Sequence, residues 1–528
     1  RVHSSTAPAG AEPTMTAPPT TAAARWTRPA PWAALLLFAV IVVRLAWLSD
    51  DAYITFRVVD NAVAGLGLTW NPAERVQAYT HPLWLFLLLA GRLATGELYY
   101  TAIWLSVALS VAAAALVAYR RPPLVAALGV AVLALSRAFV DFSTSGLENA
   151  LSHLLLAAFL ALWFGRPPEA PGFDDRRLFT LALLAGLLAL NRSDALLLAL
   201  PSLLYALWRR RSARAVLWVA LGFLPLALWT AFSLFYYGFL FPNTAYAKLA
   251  TGIPALALAR QGWLYLLNSL RWDPLTLAVV GAAVALGAAS RRGAVVAVAA
   301  GIALYLLYVV RIGGDFMSGR FLTLPLLAAV MLLVEGLSSR YTKNRLLTLA
   351  AAVALLALTG RAPVWLAGNP TGDAARRDGD IADERAYYTP NTGLFADRVP
   401  HPWAEQGLIL RAEGPAVVEH GNVGLLGYYA GPAVHIIDRN GLTDPLLARL
   451  PVRDPAGWRI GHFRRTVPAG YAETLRGGVN VIADANLAAY YEPLRLVTRG
   501  PLWDRARLAA VWRLNTGAYD ALLPEVWP

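Results

Sequence analysis

Between residues 32 and 358 the chain carries one apolar run after another, each near the length that crosses a lipid bilayer. The runs cover 32–48, 100–119, 123–141, 147–164, 178–190, 195–208, 215–236, 275–289, 294–310, 321–337 and 346–358. A soluble fold has no interior large enough for so many, and a chain of 528 residues that is 57% hydrophobic and only 15% charged agrees. The reading is a polytopic α-helical membrane protein. A formal net charge of +13 would point to nucleic acid in a soluble chain, but here the basic residues cluster in short loops between apolar runs, as membrane orientation requires. The lipid bilayer is therefore an expected partner and nucleic acid is not. With no cysteine, disulfides and thiolate chemistry are excluded.

Residues 1–24, rich in Ala, Pro and Thr, read as a disordered tail, and Met15 is a candidate start. Arg25 and Arg28 precede the first apolar run, which puts the amino terminus in the cytoplasm and makes that run a retained anchor. The segment 81–96 decides the rest. If it crossed, the basic clusters at 120–121, 209–214, 291–292 and 339–345 would fall outside; if it lies in the interface, all fall inside. The second choice gives about eleven spans in a membrane domain over 25–360, with interfacial helices at about 52–65 and 81–96. Beyond it lies a soluble extracytoplasmic mixed α/β domain over 361–528, where 416–445 reads as strand, short helix, strand, loop.

On this topology the costly polar motifs share the non-cytoplasmic face: Asp50 and Asp51, "STSGLEN", "NRSDAL", "FPNTAYAK" and "RIGGDFMSGR". The helix expected over 52–65 is amphipathic, with Tyr53, Phe56, Val59 and Val63 on one stripe and Arg57 and Asp60 on another, and is expected to lie on the membrane surface as a porch over an outward-facing cavity. A carboxylate at such a mouth suits proton abstraction from a sugar hydroxyl attacking an anomeric carbon, so Asp50 or Asp51 is the candidate base. Capping of the following helix is the structural alternative for the other. Arg192, Lys248 and Arg320, with Arg57 and His81, are candidates to hold a lipid-linked phosphate leaving group. Glu148, Asp194, Asn243 and Asp315 are expected around the same cavity. No cluster has metal-ligand spacing and no cofactor is required; a divalent cation between Asp50 and Asp51 would need a remote group such as Glu148.

The series "DDAYITFR", "GLGLTWNP", "THPLW", "SGLEN", "NRSDALL", "FPNTAYAK", "GGDFMSGRFL", "DRNGLTDPLLARLP" and "WRIGHFRR" resembles the polyprenyl-phosphate-sugar-dependent glycosyltransferases of the GT-C superfamily, and within it the enzymes that add arabinofuranose to the actinobacterial cell wall. The resemblance implies a GT-C type membrane fold and a decaprenyl-phosphoryl-arabinofuranose donor arriving from the membrane. It also implies a cell-wall arabinan acceptor, of arabinogalactan or lipoarabinomannan type, outside the plasma membrane. It maps the catalytic acid of the first external loop onto Asp50 or Asp51, and makes Asp438, Asn440 and Asp444 candidates for holding acceptor. A transferase for another sugar such as mannose is the near alternative. A lipid-linked sugar flippase is the alternative from another class, but it wants polar groups at the bilayer midplane rather than at one face. A scaffolding protein would leave the cations of the outer loops without partners.

Overall fold

The computed structural model describes residues 28–249, 251–338, 342–360, 377–378 and 380–524. The expected tail over 1–24, with Met15, lies outside the described residues, as does the start of the expected soluble part over 361–376. The helices of the first part are α1 Ala30–Arg44, α2 Asp50–Val63, α3 Pro82–Thr95, α4 Tyr99–Ala118, α5 Pro123–Leu135, α6 Arg137–Asp141, α7 Asn149–Gly165 and α8 Asp175–Asn191. They continue as α9 Leu196–Arg210, α10 Ala213–Gly222, α11 Leu224–Tyr236, α12 Asn243–Leu249, α13 Ala255–Trp272, α14 Pro274–Ala288, α15 Gly293–Ile312, α16 Thr323–Ser338 and α17 Lys343–Thr359.

Among the described residues three helices, Tyr99–Ala118, Gly293–Ile312 and Arg320–Ser338, are long and apolar enough to cross a membrane. Two bent pairs, α10 with α11 at 53° and α13 with α14 at 114°, raise this to as many as five, and α1, α3, α5 and α7 are shorter apolar helices. The chain is a multi-pass membrane protein. The single run expected over 215–236 is broken at Phe223, where Pro225 in the first turn of α11 has no N–H to donate back. Ahead of the run at 275–289 stands a helix that apolar content alone does not announce. α13 buries a narrow stripe of Gly262, Tyr265, Asn268 and Ser269, then gives way to α14 where Asp273 accepts the Thr276 N–H and Pro274 opens the new helix.

The C-terminal part opens with β1 Arg377–Asp378 paired antiparallel to β2 Ile381–Ala382. It continues through α18 Glu384–Thr392, α19 Pro402–Glu413, β3 Ala416–His420, α20 Leu425–Ala430 and β4 Val434–Asp438. β3 and β4 are parallel, Ala416 opposite Val434 and His420 opposite Asp438, with α20 in the crossover. α21 Tyr471–Gly477, α22 Ala485–Arg499 and α23 Arg505–Asn515 follow. Leu446, Tyr471, Tyr491, Leu494 and Val497 form a separate apolar core there. Ile381, Tyr388, Leu425, Leu426, Val434 and Ile436 instead join the core that runs through the membrane helices. The two parts therefore share buried apolar surface.

That shared surface corrects the expected place of α2. The helix does not lie as a porch on lipid: Ala52 through Val59 and Asn61 are buried, packed against α3 and α20. On its polar side Asp60, half-buried, pairs with Arg92 of α3, while Asn61 and Arg57 face backbone rather than water. Asn61 donates to the Thr69 and Trp70 carbonyls. Arg57, 2% exposed, donates to the carbonyls of Trp70, Gly427 and Val434 and lies 4.2 Å over the Trp70 ring. Arg57 is thus a rivet between the first external loop and α20 to β4, not a phosphate ligand. A lysine carries the charge but not the planar fork that reaches several carbonyls. Arg57→Lys is expected to lower unfolding stability by about 2–3 kcal/mol, the scale of one or two charge-assisted hydrogen bonds. A thermal melt of the purified protein checks it, and an unchanged midpoint would remove the rivet.

Candidate active site

Glu148 stands just before α7, but its side chain makes no cap to that helix. It turns into a buried hub instead. Arg192 Nη1 donates to Oε1 at 2.7 Å, Arg320 Nη2 donates to both oxygens at 3.2 and 3.4 Å, and His81 Nδ1 lies 3.4 Å from Oε2. Arg192 occupies the extended link between α8 and the turn Ser193–Ala195, and its Nε lies 3.0 Å from Asp194. Asp194 also accepts the Tyr305 hydroxyl at 2.9 Å, and the Arg192 guanidinium covers the Phe321 ring at 4.6 Å. Asn191 donates to the Glu148 carbonyl and to Ser152 Oγ, which locks α8 onto α7. His81 is held neutral because burial pushes it down to about 4, and its Nε2 meets Thr55 Oγ1 at 2.9 Å.

Arg320 arrives through the glycine-rich loop after α15. Gly314 has φ +72°, and a Cβ there would stand 2.5 Å from Tyr265 Cβ, so the loop closes tightly on α13. The Tyr265 hydroxyl donates to the Met317 carbonyl and accepts the Phe321 N–H. Asp315 Oδ2 lies 3.6 Å from Arg320 Nη1, while Arg320 Nε is buried with no hydrogen-bond partner.

Asp50 and Asp51 open α2 at the edge of this basin, both half-buried. They divide in their contacts. Asp50 Oδ1 accepts the Leu425 N–H at 2.7 Å, and Gly424 packs so closely that a Cβ would lie 2.0 Å from the Asp50 carbonyl oxygen. Asp50 thus holds the first turn of α20. Burial pushes its carboxyl up to about 7, against the pull of the Leu425 and Gly424 amides. Asp51 accepts no hydrogen bond among the described residues. Burial raises its pKa, opposed by the charges of Lys248 and Arg320 and reinforced by Asp315 and Glu148. Lys248 sits exposed near the end of α12 and makes no ion pair among the described residues.

The remaining expected residues have other duties. Asn243 is taken up by the C-terminal part: its Nδ2 donates to the carbonyls of Gly441, Leu442 and Asp444. The expected acceptor ligands are fully enclosed. Asp438 accepts the amides of Asn440, Leu442 and Thr443, and Asp444 accepts those of Leu446 and Leu447 and the Tyr471 hydroxyl. Asn440 donates to the Gly421 carbonyl. All three shape their own loop and present no atom to a glycan. The "WRIGHFRR" motif adds Arg465, which donates to the carbonyls of Asn440, Leu450, Phe463 and Ala247. Since Ala247 adjoins Lys248, Asn243 and Arg465 together fasten α12 and so fix where that lysine stands.

Two features escape a reading by motif. Glu384, buried in the first turn of α18, is pushed well above the usual carboxylate range by burial and by Asp51, Asp50 and Asp315. Its charge partners lie as far away along the chain as Asp50 and Asp51, a separation that no motif spans. The other is a set of tyrosines, Tyr53, Tyr99, Tyr100, Tyr428 and Tyr429, around one cavity next to Asp50. The divalent cation finds no support in the donor set. Among the described residues no three His, Asp or Glu side chains converge as ligands, and Glu148 is already committed to Arg192, Arg320 and His81.

No family model matches the chain. A terminal beta-(1->2)-arabinofuranosyltransferase of Mycobacterium tuberculosis is 31% identical over 522 residues, covering 80% of this chain and 81% of the relative. One of the same name from Corynebacterium glutamicum is 28% identical over 517 residues, covering 79% and 72%. Among solved structures, ArnT from Cupriavidus metallidurans bound to undecaprenyl phosphate superposes with a TM-score of 0.49 at 12% identity, covering 80% of this chain and 88% of that one. On the extent and identity of the first of these matches, the chain belongs to the terminal β-(1→2)-arabinofuranosyltransferases and is a glycosyltransferase.

Proposed function

We propose that this chain transfers arabinofuranose from decaprenyl-phosphoryl-arabinofuranose to the ends of a cell-wall arabinan, on the extracytoplasmic side of the plasma membrane. The observation that carries this reading is an unbonded carboxylate, Asp51, within the field of Lys248 from α12 and of Arg320 from the loop after α15, with Arg192 joined to Arg320 through Glu148. The names of the two relatives supply the sugar. A GT-C type membrane domain over 25–360 and an extracytoplasmic domain over 361–528 belong to the same proposal. So do a cytoplasmic amino terminus and interfacial placement of α3.

The chemistry is a displacement at the anomeric carbon. An acceptor hydroxyl gives its proton to Asp51 as its oxygen bonds to the sugar, and the bond to the phosphate oxygen breaks with its electron pair leaving on polyprenyl phosphate. Lys248, exposed and without an ion pair among the described residues, is the donor free to meet that developing charge, with the Arg320 guanidinium adding its field from behind. Glu148 and Asp194 hold the guanidiniums in place beforehand, so little reorganisation is needed.

Purified protein supplied with radiolabelled decaprenyl-phosphoryl-arabinofuranose and a synthetic oligoarabinofuranoside is expected to lengthen the acceptor, with no product from a polyprenyl-phosphoryl-mannose donor. The reverse preference would overturn the sugar assignment. The rate is also expected to depend on pH with a defined sign. A base must be ionised, and burial raises both carboxyls, Asp50 to about 7. The rate should therefore be lost as pH falls below a midpoint raised above the ordinary carboxylate value near 3.9 and gained as pH rises through it. A profile of kcat/KM that stays flat to pH 4 would exclude a raised carboxylate as base.

A further inference from the structure

We infer that the tyrosine-walled cavity between α2, the α3–α4 turn and the C-terminal part is the acceptor site, built to hold the sugar rings of a glycan chain against aromatic faces. This rests on the reading of the chain as a glycan-extending transferase, and the measurements below separate the two.

The cavity encloses about 670 Å³ and is bordered by Tyr53, Tyr99, Tyr100, Tyr428, Tyr429 and Arg398. Three of the rings form a nest: Tyr53 lies 5.4 Å from Tyr428 and 6.2 Å from Tyr429, and those two stand 5.3 Å apart with planes at 87°. Opposite them Tyr99 and Tyr100 meet edge to face at 5.0 Å. Tyrosine offers a flat apolar face with a hydroxyl at its rim, which matches a furanose ring with its C–H faces and peripheral hydroxyls. Among the rings stand Arg92, Asn391, Asp397 and His401, charged or hydrogen-bonding groups that an isoprenoid tail would desolvate without return. The contrast is a separate groove of about 460 Å³ lined by Leu128, Val132, Leu275, Val279, Val330 and Val353, which is aliphatic throughout. Lipid chemistry belongs there and glycan chemistry in the tyrosine cavity.

Position and strain agree. Tyr53 lies one helical turn from Asp50 on α2, and Leu425, whose N–H donates to Asp50 Oδ1, also borders the cavity. A ring bound at the inner end therefore sits beside the acidic pair. At the rim Arg398 adopts φ +51°, uncommon for a residue with a side chain, and this holds its guanidinium 5.2 Å over Tyr99 and 5.6 Å over Tyr100. Strained backbone concentrates where a ligand is gripped.

Steady-state kinetics of the full chain against a synthetic oligoarabinofuranoside test the site. Tyr429→Ala is expected to raise the acceptor KM at least tenfold while the donor KM stays within twofold, and Tyr429→Phe, which keeps the ring, to restore it. Tyr100→Ala, at the 42% exposed rim where a folding defect is least expected, should raise the acceptor KM in the same direction. An unchanged acceptor KM in both alanine variants, or a donor KM that rises instead, would overturn the assignment. Saturation-transfer NMR without donor separates the two readings. An oligoarabinofuranoside signal that vanishes in Tyr429→Ala supports the site. A signal given only by an oligomannoside, and abolished in the same variant, supports the cavity while removing arabinan as its ligand. A signal that survives Tyr429→Ala would overturn the cavity.

Discussion

Asp51→Asn is expected to lower the transfer rate about 10³-fold, within the range that general bases contribute, while the protein folds and binds donor as before. The exchange is nearly isosteric, and the Asp51 carboxylate accepts no hydrogen bond among the described residues, so little structure depends on its charge. What is lost is the proton acceptor that Lys248 and Arg320 help keep ionised. Asp50→Asn should behave differently. Its carbonyl oxygen can still accept the Leu425 N–H, so the first turn of α20 stays attached, and the rate should fall far less. Measuring kcat and the unfolding midpoint side by side assigns the roles. A large rate loss with an unchanged midpoint in Asp51→Asn, and the smaller loss in Asp50→Asn, is the expected pattern. Full activity in Asp51→Asn would remove it as base, and the reversed pattern would give the task to Asp50.

The same pair illustrates how far residue chemistry alone can be read. Acidic residues at the end of an apolar run are conspicuous because water is the only cheap place for them, and Glu148, Arg192 and Arg320 stand out for the same reason. All were legible as costs. Which of them neutralise one another was not, since that depends on α7, α8 and the loop after α15 meeting at a point. The loop "DRNGLTDP" failed for a different reason. Asp and Asn beside Gly are at once the chemistry of ligand binding and that of tight turns, and here Asp438 and Asp444 satisfy backbone amides that a buried turn would otherwise leave bare. α2 was misplaced because a polar stripe on a helix looks the same whether it faces water or carbonyl groups. Arg57 and Asn61 face carbonyls. The tyrosine cavity was invisible altogether, its walls coming from positions 53, 99–100 and 428–429, which no periodicity connects.

Glu148→Gln is expected to destabilise the protein by about 3–5 kcal/mol, the cost of leaving buried charges without their counterion. The Glu148 side chain is 2% exposed, so no solvent takes over when its charge is removed. Arg192 would keep Asp194, but the one ion pair left to Arg320 among the described residues would be Asp315 at 3.6 Å, a longer contact than either it makes to Glu148. Glutamine can accept only through its single carbonyl oxygen, and its NH₂ group would then face guanidinium donors. A second substitution separates charge from shape. If uncompensated charge is the cause, Arg320→Gln should destabilise alone, and the double variant Glu148→Gln with Arg320→Gln should be more stable than the sum of the single losses requires, by at least about 1 kcal/mol of coupling. Unfolding midpoints of the four proteins in one detergent complete that cycle. Strict additivity would mean that Glu148 and Arg320 do not act as a pair, and would take away the preorganised cationic wall on which phosphate departure depends.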